Sequence, residues 1–138
     1  MYEQDILITD ADHRRLRSLV GRLRASGRAR ARHVGALATR IRRSVIVSPK
    51  EIPRNVVTLN SRVYLKDLDS RKRLECTLSD PFDISAFGDR LSVAGPAGIA
   101  LLGKRVGQIV RWAMGPRERR FRIEQIVYQP EAAGDFHL

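Results

Sequence analysis

The hydrophobic period of this chain changes once, and the change falls at Ser48-Pro49-Lys50-Glu51-Ile52-Pro53. Each proline lacks the amide donor that a helix interior needs and pushes the residue before it out of helical dihedrals. Upstream, Leu16, Leu19, Val20 and Leu23 recur at offsets of three, four and seven. After a break at Ser26-Gly27, Val34, Leu37, Ala38, Ile41 and Val45 repeat that spacing. These are the apolar stripes of two amphipathic helices, and the short loop between them predicts an antiparallel hairpin packed stripe to stripe. Downstream the period is two. Val56-Val57-Thr58-Leu59, Arg62-Val63-Tyr64-Leu65-Lys66 and Leu74-Glu75-Cys76-Thr77-Leu78 read as strands, with Leu91-Ser92-Val93 as a shorter one.

Local signals sharpen this outline. Ile6-Leu7-Ile8 is an apolar lead-in, and Thr9 or Asp10 is placed to cap the first helix, with Asp12 in the first turn where the helix dipole favours negative charge. Ile99-Ala100-Leu101-Leu102 reads as a short helix closed by Gly103. Ile109-Val110-Arg111-Trp112-Ala113 and Phe121-Arg122-Ile123-Glu124-Gln125-Ile126-Val127-Tyr128 predict two closing strands around Gly115-Pro116. The fold class expected is α+β: residues 1–48 form a short basic helical hairpin, coiled-coil-like, and residues 49–138 form a small, mostly antiparallel β domain with a short helix.

Charge narrows the function classes. The chain carries 26 Lys plus Arg against 15 Asp plus Glu, so a positive field covers it and favours polyanions or acidic protein faces. Residues 1–48 hold 11 Arg against 4 acids, so the hairpin carries most of the excess. Cys76 is the one cysteine, which excludes an internal disulfide and a cysteine-rich zinc site; it and Trp112 are expected in the core. His13, His33 and His137 are scattered without the spacing of metal ligands, and no Ser/His/Asp, Walker or paired-carboxylate pattern occurs. Acids near the start and the lack of a long apolar run lead us to expect a cytoplasmic, non-membrane protein without cofactor.

The run Leu91-Ser92-Val93-Ala94-Gly95-Pro96-Ala97-Gly98-Ile99-Ala100-Leu101-Leu102-Gly103-Lys104-Arg105-Val106-Gly107 has a fixed order of small and apolar residues. It resembles the signature of the Gre transcription elongation factors, whose C-terminal domain is FKBP-like. Val57-Thr58-Leu59-Asn60-Ser61-Arg62-Val63, the tail Tyr128-Gln129-Pro130-Glu131 and the short hairpin are similar to the regulator of nucleoside diphosphate kinase branch of that family. The resemblance implies docking beside the secondary channel of RNA polymerase through Gly95, Pro96, Ala97, Gly98 and Leu101, by a monomer. As a local reading, Pro96 and Gly98 serve a helix start, and Leu102 and Gly103 fill and close it.

The hairpin tip departs from the cleavage factors of that family, which carry acids there to help hold a catalytic Mg²⁺. Ser26-Gly27-Arg28-Ala29-Arg30-Ala31-Arg32-His33 contains no acid, whereas a hard divalent cation takes oxygen ligands. Arg28, Arg30 and Arg32 would repel it. The expected function is a non-catalytic regulator of elongation that competes with cleavage factors. The alternatives are a basic nucleic-acid-binding protein that acts without polymerase, its hairpin contacting phosphates, and a peptidyl-prolyl isomerase. The last is disfavoured by the low aromatic content, 6%.

Overall fold

Thr9 caps the first helix: its Oγ1 accepts the Asp12 amide at 3.0 Å. The computed structural model describes residues 6–82 and 89–136, so His137 lies outside the described residues. Strand β1 (Leu7–Thr9) leads into α1 (Asp10–Ser26), and Gly27, at φ 67°, turns the chain in the left-handed conformation with its amide on the Leu23 carbonyl. Helix α2 (Ala31–Arg43) returns and ends two residues before Val45. Val45 therefore does not extend the helical stripe; it opens β2 (Val45–Val47), which pairs in parallel with β1. The apolar lead-in is thus a strand. A parallel pair needs a crossover connection, and the helical hairpin supplies it.

The remaining strands are β3 (Arg62–Asp67), β4 (Arg73–Ser79), β5 (Arg90–Ser92), β6 (Ile109–Met114) and β7 (Arg117–Tyr128), with α3 (Pro96–Leu101) between β5 and β6 and α4 (Pro130–Ala133) after β7. They form one sheet in the order β5-β4-β3-β7-β6, antiparallel except for β4 with β5. In β3, Val63, Leu65 and Asp67 are buried while Arg62, Tyr64 and Lys66 are part-exposed, the alternation that the period of two requires. Register shifts between β3 and β7 let the long β7 bend, so that its first half pairs with β6 and its second half with β3. The architecture is α+β, as the change of period implies. Among the described residues no helix is long and apolar enough to cross a membrane.

Val56-Val57-Thr58-Leu59 does not join the sheet. Val56 makes an isolated bridge to Arg105, and Val57 exchanges backbone hydrogen bonds with Gly103 and Lys104. All four residues are buried, so the alternation of a half-exposed strand is missing. Side chains satisfy the polar groups instead: the Thr58 amide donates to Ser61 Oγ, Thr58 Oγ1 donates to Glu131 Oε1, and Gln129 Nε2 donates to the carbonyls of Pro53 and Val56. The short α4, with Pro130 in its first turn and Gly134 in the left-handed conformation after it, brings Glu131 and Gln129 to this segment.

One cluster of buried side chains runs from Leu16, Leu19, Leu23, Leu37 and Ile41 of the hairpin through Leu59, Leu101 and Leu102 to Val63, Leu65 and Ile123 of the sheet. Cys76 belongs to it, and burial pushes its thiol up to about 11. Trp112 stacks on Phe121 at 4.4 Å between ring centroids. A second, smaller cluster joins Leu7 to Ile52 and Val56 beneath β1. Gly103 admits β1: at φ 78° it also leaves room where a Cβ would lie 2.2 Å from Ile6 Cγ2.

Asp12 ties the hairpin to the Val56–Leu59 segment. Its Oδ2 accepts the Leu59 amide at 3.0 Å, and Arg15 lies 3.5 Å from Oδ1. Burial, reinforced by repulsion from Glu131, pushes the carboxyl from 3.8 to about 7, against the lowering by the Leu59 amide and Arg15. The folded chain therefore holds a proton that the unfolded chain releases above 3.8, and the stability contributed by Asp12 falls as pH rises towards 7. We expect the unfolding free energy of the native chain, less that of Asp12→Asn, to decline by up to about 1.4 kcal/mol per pH unit across that window and to level off above it. Urea melts at a series of pH values check this; a pH-independent difference would refute it.

Candidate docking surface

The Gly95 turn is built by Ser92. Its Oγ accepts the Ala94 amide at 3.0 Å and its carbonyl accepts the Gly95 amide at 3.1 Å, which folds the chain back before α3 begins. Pro96 follows in the first turn of α3, where its fixed φ suits the helix and its missing amide is not needed. The Ile99 amide then closes the turn on the Gly95 carbonyl at 2.9 Å.

The five residues expected to dock divide into two groups. Pro96 is exposed and Gly95 part-exposed, whereas Ala97, Gly98 and Leu101 are buried. Leu101 is in the core cluster. Gly98 is pressed against β5, where a Cβ would lie 1.9 Å from the Ser92 carbonyl oxygen and 2.7 Å from its carbon. The solvent-facing part of the turn is thus Gly95 and Pro96 with the part-exposed Ala100, and Ala97, Gly98 and Leu101 hold it in place.

The three tip arginines are all exposed, but they do not share one local structure. Arg28 follows the Gly27 turn, Arg30 occupies the cap position of α2, and Arg32 is in the first turn of that helix. Arg28 lies over the Phe82 ring at 4.4 Å from its centroid, and Arg22 lies over the same ring at 4.8 Å. Arg22 also pairs with Asp80 at 2.9 Å. Phe82 itself is seated by a hydrogen bond from its amide to Asp80 Oδ1 at 2.8 Å. These contacts fasten the tip to the segment after β4. Asp80 and Phe82 escaped sequence reasoning because their arginine partners lie more than fifty positions away; an aromatic beside the Asp-Pro turn is the one signal from which they could have been found.

The tip and the turn meet. A cleft of about 290 Å³ is lined on one side by Arg28, Arg30 and His33 and on the other by Ser92, Ala94 and Gly95. Among the described residues no carboxylate lines it. Among the described residues, no group of three or more His, Cys, Asp or Glu side chains is placed to hold a metal ion. The cleft is therefore suited to receive an acidic or anionic contact next to a rigid turn.

Comparison with known proteins assigns the class. Residues 52–128 match the family described as transcription elongation factor, GreA/GreB, C-terminal, and the chain belongs to that family. Over its whole length it is 36% identical to the regulator of nucleoside diphosphate kinase of Escherichia coli strain K12, with all of both chains covered. It is 28% identical to transcription elongation factor GreA of Clostridium botulinum strain Eklund 17B over 90 residues, 65% of this chain and 56% of that one. Among solved structures, a prokaryotic transcription elongation factor GreA/GreB from Nitrosomonas europaea superposes with a TM-score of 0.73 at 32% identity, covering 89% of this chain and 99% of that one.

Gly98→Ala tests the packing of the turn. The added methyl group has only backbone atoms to displace, so we expect a loss of about 1–3 kcal/mol of stability. Thermal or urea unfolding measures it, and a loss below about 0.5 kcal/mol would show that α3 shifts freely.

Proposed function

We propose that this protein is a cytoplasmic, monomeric regulator of transcription elongation that binds RNA polymerase at the rim of the secondary channel and performs no cleavage chemistry. The observation that carries the reading is the shared cleft: the Gly95 turn and an arginine tip without carboxylates form adjoining walls of one surface. In this reading the sheet unit, residues 49–138, is FKBP-like and presents Gly95 and Pro96 to the polymerase. The hairpin, residues 1–48, covers the channel mouth with Arg28, Arg30 and Arg32. Three guanidinium groups supply positive charge where a divalent cation would need oxygen ligands. Membership of the Gre family supports a role in elongation, and full-length similarity to a regulator of nucleoside diphosphate kinase supports a role in regulation.

Pro96→Asp is expected to weaken binding to core RNA polymerase by about tenfold, the effect of losing one central contact. Aspartate is tolerated in the first turn of a helix, so the fold should persist. Unchanged affinity in a folded variant would remove the turn from the interface. Binding that survives nuclease treatment of the polymerase separates this reading from a basic protein that acts on nucleic acid alone. Phosphate contacts would also make affinity fall steeply with salt.

In a backtracked elongation complex the purified protein should not stimulate RNA cleavage, and it should slow cleavage driven by GreA. Excess GreA should reverse the inhibition by mass action. Robust cleavage by the protein itself would overturn the non-catalytic reading. Failure to compete at any concentration would argue against a shared docking site.

A further inference from the structure

Helix α2, the end of α3 and the edge strand β6 meet around a cavity of about 140 Å³ lined by Arg40, Ala100, Lys104, Ile109, Val110 and Arg111. Among the described residues, three cations from three separate stretches of chain line it, and no carboxylate does. Arg40 is part-buried, and that burial lowers its pKa. Among the described residues it has no hydrogen-bond or ion-pair partner. Burial also lowers the pKa of Lys104, and repulsion from Arg40 lowers it further, which places the two charges close enough to oppose each other. Arg111 has Glu118 at 3.8 Å, but both side chains are more than 60% exposed, 63% and 61%, so the pairing is weakly held.

Partial burial of a cation without a counter-ion is costly, and like charges drawn together add to that cost. An anion in the cavity would offset both. We propose that this cavity binds a compact, multiply charged phosphate, of the class of pyrophosphate or the phosphate tail of a nucleotide. Arg40 supplies a guanidinium fork that matches phosphate oxygens and Lys104 a point charge beside it, with Arg111 at the exposed rim. Two cations held together favour an anion with charges on adjacent groups over a nucleic-acid backbone, whose phosphodiesters each carry a single charge and are spread along the strand. The volume is below the roughly 300–1,000 Å³ of clefts that enclose whole small molecules, so a nucleoside would remain outside. The bound anion would link the hairpin, through Arg40, to the sheet unit, through Lys104 and Arg111. The cavity shares Ala100 with the exposed face of the Gly95 turn but none of the residues that line the Gly95 cleft, and its assignment does not depend on polymerase binding.

Isothermal titration of the full chain with inorganic pyrophosphate, with orthophosphate and with a short single-stranded RNA tests the proposal. Pyrophosphate should bind one to one and about tenfold or more tighter than orthophosphate. Arg40→Met and Lys104→Met should each weaken it by about tenfold or more, while Arg43→Met, an exposed arginine of the same helix outside the cavity, should change it by less than about twofold. Pyrophosphate should also raise the melting temperature of the native chain and of Arg43→Met, and raise that of Lys104→Met by less at the same concentration; this second variant keeps the test decisive should Arg40→Met fail to fold. Absence of pyrophosphate binding would overturn the assignment. Equal weakening by Arg43→Met would reduce it to a diffuse field, and RNA binding that pyrophosphate cannot displace would assign the surface to a nucleic-acid strand instead.

Discussion

A helix as short as the 13-residue α2 does not persist in water on its own, because the cost of its first turn is recovered slowly along its length. It persists here because Val34, Leu37 and Ile41 are buried. Each such side chain contributes about 1.5–3 kcal/mol when removed from water. The other face of α2 carries Arg32, Arg40, Arg42 and Arg43 and no acid, so no ion pairs along the helix compensate their repulsion. The hairpin is thus held from one side only, and the core that holds it is continuous with the core of the sheet. That continuity explains why α2 packs on α3, and why Asp12, near the start of α1, is buried against the Leu59 amide.

The same continuity decides how the tip behaves. Arginines in a solvated loop would spread apart, yet Arg28 and Arg22 both lie over one aromatic ring and Arg22 pairs with Asp80. Cation–π contacts of this kind contribute about 0.5–1 kcal/mol each at exposed sites, which suffices to bias a loop whose backbone is already directed by Gly27. The turn at Gly95 is held from the opposite direction, by the backbone of Ser92 against Gly98. Two separately fixed walls make the cleft a preorganised surface, on which binding does not have to order the protein first.

Long-period patterns in the sequence were legible and short runs were not. The offsets of Leu16, Leu19 and Leu23, the Thr9 cap and the alternation of Val63 and Leu65 mark elements whose local chemistry and burial agree. The three-residue strands β1 and β2 carry no period, and Val45 happens to continue a helical one. Val56 to Leu59 looks like a strand because all four residues suit burial, but its polar groups are met by the nearby Ser61 and by Gln129 and Glu131, which lie seventy-three positions away from their partners. Helix α4 did leave a signal, Pro130 followed by Gly134, that is easily taken for a disordered tail. At the site, the motif located the turn. It did not separate Pro96, which is exposed, from Gly98 and Leu101, which are buried. Arg40 and Lys104 stand far apart in sequence and meet only because α2 crosses α3.

Strands β1 and β2 lie side by side and run in the same direction, so both legs of the hairpin leave the sheet unit from a common base. The hairpin is therefore a ruler whose zero is fixed there and whose reading is the number of residues in α1 and α2. At 1.5 Å per residue, seven residues added to each leg would carry the tip about 10 Å farther out without altering the base. Arg28 would then pass beyond Phe82, and the cleft beside Gly95 would lose its basic wall. In a fold of this plan, the length of two helices selects between a tip that is seated on the segment after β4 and a tip that stands clear of its own chain.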